Sequence, residues 1–369
     1  MQKNSHAFSQ AISPWVLMAS AQGVASKYWL EALELYGVTA TQLVDDNFSG
    51  SQRLEELRQQ ISPSLVTKAY GWAEKGSNHA IITYDSVHYP ETLKQLDSPP
   101  LVLFVKGRYS LLNKPQLAIV GSRRASIQGK RIAQDLARQL SVCGVTVTSG
   151  LAVGIDSAGH RGGLEGEGKT LAVVGTGPDK VYPVQHIPLD EAIAAQGGAI
   201  VSEFFPGQGP RSWHFPRRNR IIAALSLGTL VVEAKIKSGT LITANLAADL
   251  GKEVFAVPGS IFHSYAEGCH WLIQQGAKLV TNVNDVLEEL GIEPNSIPIN
   301  VDNEKEKSEV NSLATDKLLA SVDYDITAID VIAQRNAITV SQAMASLLEY
   351  ELRGLVAAVP GGYVKLRGK

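Results

Sequence analysis

The sequence has few of the features that secreted or membrane-embedded proteins need. Among its 369 residues there are only two cysteines, Cys143 and Cys269, so we expect reduced thiols and no disulfide framework or cysteine metal site. The first ten residues are polar and lack the apolar core of a signal peptide. No apolar run approaches the roughly 20 residues that span a bilayer. A cytoplasmic protein is therefore expected.

Common catalytic and cofactor motifs are also missing. The glycines do not follow G-x-G-x-x-G, so no nicotinamide site is indicated, and Ser149 is not in a G-x-S-x-G turn. Asp156 and His160 lack a third ligand at metal spacing, and we interpret them as a helix cap and a structural hydrogen-bonding residue. Glu203 and Glu233 end predicted strands, where a carboxylate could act as a general base, but pairing with nearby arginines is the simpler interpretation. No catalytic residue, cofactor or metal is predicted.

The sequence has no excess of either charge. Its 34 Lys and Arg residues are balanced by 36 Asp and Glu residues, for a net charge of −2, which argues against a wholly basic nucleic-acid-binding protein. The charge is nevertheless unevenly distributed. Residues 121–131 contain four basic residues and no acid, residues 211–237 contain six basic residues and one acid, and residues 285–309 contain eight acids and two lysines. Any nucleic-acid site must therefore be local.

In the central domain, predicted at residues 96–293, short apolar runs alternate with helical patterns from Gln116 to about Glu293. This alternation predicts a mostly parallel sheet covered on both faces by helices, an α/β fold. Ligands of such sheets bind beyond the carboxyl ends of the strands. The predicted strands are Leu101–Val105, at a sheet edge, followed by Leu117–Val120, Val145–Thr148, Thr170–Val174, Ala199–Ser202, Thr229–Glu233, Val254–Val257 and Lys278–Val280.

Two smaller domains flank this region. Residues 1–95 are predicted to be mainly helical, a small unit of the SAM or helix-hairpin-helix type, for which we favour a packing role over DNA binding because its glycine turn lacks bases. Residues 294–314 are charged and predict a linker. Residues 315–369 have three helical patterns and a hairpin around Gly361 and Gly362, which predicts a winged helix. Its second-to-last helix carries few bases, so protein contact or spacing is favoured over DNA recognition.

Four loops that follow predicted strands are rich in glycine and small polar residues. Each one precedes a helix start, where unpaired backbone N–H groups and the helix dipole favour an anion. After the first strand of this set, Ser126 is expected to cap the helix that begins near Ile127. Tight packing explains any one loop, but all four on one sheet predict an extended phosphate-binding rim. The loops are Gly121–Arg124, Ser149–Asp156, Gly175–Pro178 and Ser238–Thr243.

The segment Trp213–Arg220 places two aromatic residues beside three arginines, ahead of a helix predicted at Arg220–Ala224. Arginines can clamp phosphates, and Phe215 offers a face on which a base can stack for roughly 1–3 kcal/mol. An aromatic plug with solvated charges is the alternative. Together with the glycine-rich rim, the segment favours single-stranded nucleic acid as the ligand.

In this order, the motifs resemble those of the DprA/Smf family of DNA-processing proteins, over about residues 80–285. They are Gly121–Ser126, Ser149–Asp156, Ser202-Glu203, Phe215–Ala223, Val232–Ala234 with Ser238–Ala244, and Val257–Gly259. The resemblance implies an extended Rossmann-like domain that dimerises and binds single-stranded DNA without catalysis. It also implies that the protein protects incoming DNA and loads the RecA recombinase onto it during natural transformation.

Carried over to this sequence, the resemblance assigns phosphate contacts to the Gly-Ser-Arg turn, the Arg-Asn-Arg motif and the Ser-Gly-Thr loop, and base stacking to Phe215. The N-terminal turn departs from the family pattern by lacking its usual Pro-Gly-Ile-Gly. The complete set of candidate nucleic-acid-binding residues is Gly121, Ser122, Arg123, Arg124, Gly150, Phe215, Arg218, Asn219, Arg220, Lys235, Ser238, Gly239 and Thr240.

A different function, nucleotide hydrolysis, is the main alternative. The predicted sheet also resembles the lysine-decarboxylase-like phosphoribohydrolases, which carry Pro-Gly-Gly-x-Gly-Thr-x-x-Glu at the equivalent loop. Here Thr243 stands where the catalytic glutamate belongs, and no Pro-Gly-Gly precedes the motif. A pure protein-interaction scaffold would leave the basic cluster in residues 211–237 unexplained.

Overall fold

A computed structural model describes residues 12–293 and 317–366. The chain divides into two compact units, Met1–Asn295 and Ser296–Lys369, which are described separately. The linker predicted at residues 294–314 lies outside the described residues. In the described part of the chain, no helix combines the length and apolarity needed to cross a membrane.

The larger unit is built on a nine-stranded sheet with the spatial order β1-β2-β6-β5-β4-β3-β7-β8-β9. The β1–β2 and β2–β6 pairs are antiparallel and the remaining pairs are parallel. The mostly parallel α/β sheet is therefore confirmed. The strands are β1 (His79–Thr83), β2 (Val102–Gly107), β3 (Gln116–Gly121), β4 (Thr146–Ser149), β5 (Thr170–Val173), β6 (Ala199–Ser202), β7 (Gly228–Val232), β8 (Glu253–Ala256) and β9 (Lys278–Leu279).

The five central strands are buried along almost their whole length, because helices cover the sheet. The hydrophobic core therefore runs through the sheet. The α-helices of this unit that follow β3 in the chain are α6 (Ile127–Val142), α7 (Ile155–Glu165), α8 (Ile187–Ala195), α9 (His214–Leu225), α10 (Gly239–Asp249), α11 (Glu267–Gln274) and α12 (Asn284–Glu289).

The order of the strands creates a topological switch point between β3 and β7. From β3 the chain proceeds through β4 and β5 to β6 on one side, and β7 continues through β8 to β9 on the other. The connections after β3 and β7 therefore diverge, which leaves a crevice at the carboxyl ends of these two neighbouring strands. Open parallel sheets bind their ligands at this place.

The N-terminal helices pack with one part of the sheet. Trp15, Trp29 and Trp72 share a hydrophobic core with Phe104 of β2 and with Phe205, which follows β6. Burial of these large side chains holds the short helices in place, since helices of this length are marginal alone. The helices are α1 (Pro14–Ser20), α2 (Ser26–Tyr36), α3 (Ala40–Leu43), α4 (Gln52–Gln59) and α5 (Pro63–Ala73).

Two expectations about this end of the sheet need revision. The strand predicted at Leu101–Val105 is not an edge strand, because β1 pairs with it on one side and β6 on the other. The edge strand β1 is absent from the strands predicted by sequence. The boundary predicted at residue 95 falls between these two paired strands, and the division into domains stays a prediction.

The smaller unit contains three helices and a two-stranded hairpin. These are α13 (Lys317–Ala320), α14 (Ile329–Asn336), α15 (Val340–Leu352), β10 (Val356–Val359) and β11 (Gly362–Lys365). Thr339 and Gln342 form a capping box that starts α15. A bridge between Thr327 and Tyr363 joins the segment before α14 to the hairpin. This arrangement confirms the winged helix.

Candidate nucleic-acid interface

A cleft of about 700 Å³ opens at the switch point between β3 and β7. The loops after these two strands form its sides, and α9 contributes a third wall. Eleven of the thirteen candidate residues line it, so the fold brings together residues that are up to 119 positions apart, from Gly121 to Thr240. They are Gly121, Ser122, Arg123, Arg124, Phe215, Arg218, Asn219, Lys235, Ser238, Gly239 and Thr240.

The period of α9 decides which of its side chains reach the cleft. The helix begins at His214, six residues before the predicted start, so the aromatic and arginine motif is helical except for Trp213, which occupies the N-cap position. Phe215, Asn219 and Ile222 lie at helical spacing on one face and line the cleft. Phe215 is half-buried, and its ring packs over Gly175, where an added Cβ would lie 3.1 Å from the ring.

Arg218 lies at the inner wall of the cleft and is almost completely buried. Its Nη1 donates to the backbone carbonyl of Val173 at 2.6 Å, and its Nε has no hydrogen-bond partner among the described residues. Burial lowers the pKa of Arg218 to about 10, which the Asp156 carboxylate opposes. Gly150 lies behind the guanidinium, where a Cβ would come within 1.9 Å of Nη1. Gly150 thus does not line the cleft; its lack of a side chain makes room for Arg218.

Arg220 is on a different face of α9 and does not line the cleft. Its Nη2 contacts Oε2 of Glu203 at 2.5 Å, and Nε of Arg217 contacts the same oxygen at 3.2 Å. The Glu203 side chain is only 3% exposed. The predicted pairing of Glu203 with arginines is therefore confirmed. It engages Arg220, for which the sequence predicts a phosphate contact.

The N-terminus of α6, after β3, is already occupied by protein groups. Ser126 caps the helix as predicted, since its Oγ accepts from the Gly129 N–H at 2.8 Å. The Glu233 carboxylate accepts from the Ser126 backbone N–H at 2.8 Å and also from the Ser126 hydroxyl. The predicted pairing of Glu233 with an arginine is therefore wrong. A carboxylate therefore already lies beside this helix N-terminus, in the place that a phosphate would take.

The N-terminus of α10, after β7, is open. Ser238 occupies the N-cap position without making a side-chain cap, and its buried Oγ has no partner among residues 12–293. Gly239 and Thr240 follow it on the cleft wall. Uncapped first-turn N–H groups combine with the positive end of the helix dipole to attract an anion. This is the helix N-terminus of the cleft that can accept a phosphate.

Four cationic side chains surround this open helix end: Arg123, Arg124, Lys235 and Lys237. All four are exposed, and none takes part in an ion pair found in the described part of the chain. The Arg123 guanidinium lies 5.8 Å from the ring centre of Phe215, and the Lys235 ammonium lies 4.9 Å from that of Tyr265. Charge and ring faces therefore occur together, an arrangement suited to phosphates joined to bases.

The remaining two predicted rim loops contribute less. After β4, Asp156 lies inside α7 and does not cap it, so the predicted helix cap is wrong. Its carboxylate accepts from the backbone N–H groups of Gly150 and Ala152, and burial raises the pKa of this carboxyl. Nδ1 of His160 lies 2.7 Å from Thr170 Oγ1, and burial lowers the pKa of His160 to about 3, in accord with its predicted structural role. After β5, Thr176 is buried and the Gly175 carbonyl bonds to His214. That loop does not line the cleft.

Among the lining residues outside the candidate set, Lys237 and Tyr265 add a charge and a ring to the cleft. Lys237 lies in the basic segment 211–237 but belongs to none of the motifs, so only charge could have indicated it. Tyr265 comes from the segment between β8 and α11, and no local pattern distinguishes it. In the described ranges, no group of three or more His, Cys, Asp or Glu residues could hold a metal ion.

The fold and cleft define an α/β protein with a cleft lined by basic residues at its topological switch point, and with a winged helix. Residues 80–291 match the model of the family described as DNA recombination-mediator protein A. Residues 304–362 match the DprA winged helix domain, starting ten residues inside the predicted linker.

Curated relatives and solved structures agree with these family models. The chain is 44% identical to protein Smf of Escherichia coli strain K12 over 312 residues, covering 84% of this chain and 82% of that protein. It is 46% identical to the DNA processing protein DprA of Streptococcus pneumoniae strain R6 over 205 residues, covering 54% of this chain and 71% of that protein. The chain therefore belongs to the DprA/Smf family of DNA-processing proteins.

Two solved structures are similar over much of the chain. The X-ray structure of DprA from Streptococcus pneumoniae covers 76% of this chain and 99% of its own, with a TM-score of 0.65 and 35% identity. A structure of DNA processing protein A from Helicobacter pylori covers 57% of this chain and 95% of its own, with a TM-score of 0.51 and 30% identity; its description concerns a single-stranded DNA binding mode.

Proposed function

We propose that this protein binds single-stranded DNA in the cleft between β3 and β7. The observation that carries the proposal is the open N-terminus of α10 surrounded by four cations that lack carboxylate partners in the described structure. Backbone N–H groups of α10 and the side chains of Arg123 and Lys235 contact successive phosphates. Phosphate contacts supply affinity, and such a cleft needs no particular base sequence.

The preference for a single strand comes from Phe215. Its half-buried ring lies on the cleft wall near the Arg123 guanidinium. A base can stack on this ring only when its face is free of the neighbouring base pairs that cover it in a duplex. Asn219, on the same helix face, is positioned to donate to that base or its phosphate. Arg218 and Gly150 support this wall from behind.

The structure of the Helicobacter pylori relative supports single-stranded DNA as the ligand, because it concerns that protein's single-stranded DNA binding mode. From the family resemblance we further propose that the bound strand is protected and passed to the RecA recombinase in natural transformation and recombination. A homodimer through the Rossmann-like domain is part of this proposal. Ile261 and Phe262, 78% and 93% exposed after β8, support it as apolar residues that a partner subunit would cover.

Nucleotide hydrolysis is not favoured. Of the described residues that line the cleft, Asp156 alone is acidic, and it is held by two loop N–H groups beside Arg218. Thr243, which occupies the position of the hydrolase glutamate, is 2% exposed. We therefore propose a non-catalytic role.

The test is fluorescence anisotropy with a labelled oligo-dT and with a duplex of equal length. Arg123→Gln/Lys235→Gln is expected to weaken single-strand binding about 10- to 100-fold and to reduce the slope of log affinity against log salt by about 1.4, since each phosphate contact contributes about 0.7. The matched control is Arg108→Gln/Lys114→Gln, which removes two exposed charges near the opposite edge of the sheet. Equal losses in both variants, or none in either, would refute the site.

A further inference from the structure

A second cleft of about 570 Å³ lies at the other end of the same sheet edge. One wall is α5, which contributes Lys68 and Trp72, together with the turn after this helix, which contributes Lys75. The opposite wall is made of the loops that follow β5 and β6, with Pro178 and Pro206 presenting apolar surface. The second cleft is thus lined by loops at the carboxyl ends of β5 and β6 together with His79 and Lys106 of the β1–β2 pair, and it is not part of the switch point.

The walls of this second cleft are fixed by specific contacts. The Gly207 N–H donates to Oδ1 of Asp179 at 2.7 Å, and the Gly177 N–H donates to the Gln208 carbonyl at 2.8 Å, so the two loops are tied together. On the α5 side, the Trp72 ring stacks on His79 with 4.3 Å between ring centres. A preformed cleft of this kind loses little entropy when a ligand enters.

The charge of the second cleft is positive at its rim. Lys68 lies on α5, Lys75 lies in the turn two residues past the end of this helix, and both line the cleft. Both are exposed, and neither takes part in an ion pair found in the described ranges. Lys106, in contrast, is neutralised by Asp190. Two free ammonium groups above apolar surface suit a phosphate attached to a base.

An exposed aromatic residue connects the two clefts. Tyr182 is 48% exposed, and its ring centre lies 5.6 Å from that of Phe215 in the first cleft. The preceding residue, Val181, lines the second cleft. The β5–β6 pair and the switch point are three strand positions apart, which is about 15 Å at the usual strand spacing. A few nucleotides of extended strand cover that distance.

We propose that the second cleft binds the continuation of the single strand that occupies the first cleft, with a base stacked on Tyr182 between them. Lys68 and Lys75 contact phosphates there, and Pro178 and Pro206 contact a base. This inference rests on the proposed function and extends it, since it gives the N-terminal helical region a part in DNA binding in addition to packing. The ligand is a polynucleotide strand, not a free nucleotide.

The test compares two lengths of labelled oligo-dT, about 5 and about 16 nucleotides, the range that single-strand sites cover. Lys68→Gln/Lys75→Gln keeps most of each side chain and removes both charges. It is expected to weaken binding of the longer oligomer about tenfold, to lower its salt slope by about 1.4, and to leave the shorter oligomer unchanged. Tyr182→Leu is expected to weaken the longer oligomer at least about fivefold.

The outcomes separate this inference from the proposed function. Arg123→Gln/Lys235→Gln should weaken both lengths, and if it weakens neither, the first cleft itself is refuted. If that variant weakens both lengths while Lys68→Gln/Lys75→Gln weakens neither, the first cleft stands and the second is refuted. Equal losses of affinity for both lengths in Lys68→Gln/Lys75→Gln would also overturn the inference. Tight binding of deoxythymidine monophosphate alone, abolished by the same variant, would overturn it too. Arg108→Gln/Lys114→Gln again serves as the charge control, and thermal melts check folding.

Discussion

The N-termini of α6 and α10 follow neighbouring strands, β3 and β7, yet they have opposite properties. Ser126 caps α6, and Glu233 adds two further hydrogen bonds to Ser126. Ser238 begins α10 without a cap, and the buried Ser238 hydroxyl has no partner in the described structure. One helix end is satisfied by the protein and the other is left for a ligand.

This difference shows that a glycine-rich strand end is not by itself an anion site. A helix N-terminus at such a strand end is available to an anion only when no other part of the chain supplies an acceptor for its hydrogen-bond donors. Glu233 is 107 residues from Ser126 in sequence and reaches it only because β7 pairs with β3. The same residue begins the loop that leads to α10, so one glutamate closes one helix end while its own loop leaves the next one open.

The largest expected effect that sharpens this comparison comes from Glu233→Ala. The carboxylate accepts from the N–H and the hydroxyl of Ser126, and hydrogen bonds to charged groups contribute about 1.5–3 kcal/mol. The free energy of unfolding is therefore expected to fall by about 2 kcal/mol, measured by urea denaturation. Alanine keeps the same left-handed strain at φ 58°, so the loss reports the contacts. Glu253→Ala, at an exposed position, is the control, and a loss matching the control would contradict the capping role.

A smaller effect is expected from the two serines. Ser126→Ala removes a cap and should cost about 1 kcal/mol of stability with little change in single-strand affinity. Ser238→Ala removes a hydroxyl that makes no hydrogen bond, so its stability change should stay under about 0.5 kcal/mol while single-strand affinity falls. Denaturation and anisotropy on both variants test this. If Ser238→Ala is as destabilising as Ser126→Ala, the interpretation of the α10 N-terminus as open is wrong.

The sheet and most of the cleft could be predicted from sequence because their signals are local. Apolar runs marked the central strands, and eleven of thirteen candidate residues line one cleft. The edge strand β1 was missed because its short apolar run, Ala80–Ile82, lies within the region predicted to be mainly helical. The start of α9 was missed because no cap marks it: Trp213 occupies the N-cap position without a side-chain hydrogen bond.

The roles of the arginines could not be predicted because they depend on helical phase and on distant partners. Once α9 begins at His214, Arg218 lies four residues on and shares its buried face, while Arg217 and Arg220 both reach Glu203. A run of arginines in a sequence gives no phase. The second cleft has no sequence signal either, since α5 and the loops after β5 and β6 meet only in the folded sheet.

The smallest expected effect is the change in the free energy of unfolding when a helix glycine is replaced by alanine, and its sign is informative. Gly129 lies in the first turn of α6, where a Cβ would come within 2.4 Å of the Glu233 carboxyl carbon. Alanine is normally about 1 kcal/mol more favourable than glycine within a helix. Here it displaces the carboxylate from Ser126, so Gly129→Ala is expected to give a net loss of about 0.5–1 kcal/mol.

Gly71 in α5 is the matched control, because it too lies in a helix but a Cβ added there would have no neighbouring atom within 4 Å. Gly71→Ala is expected to raise the free energy of unfolding by about 1 kcal/mol. Opposite signs for the two substitutions, measured by urea denaturation, would show that Glu233 is held tightly at the end of α6. Stabilisation by both would mean that the carboxylate moves aside freely, and α6 would then have an N-terminus as accessible to an anion as that of α10.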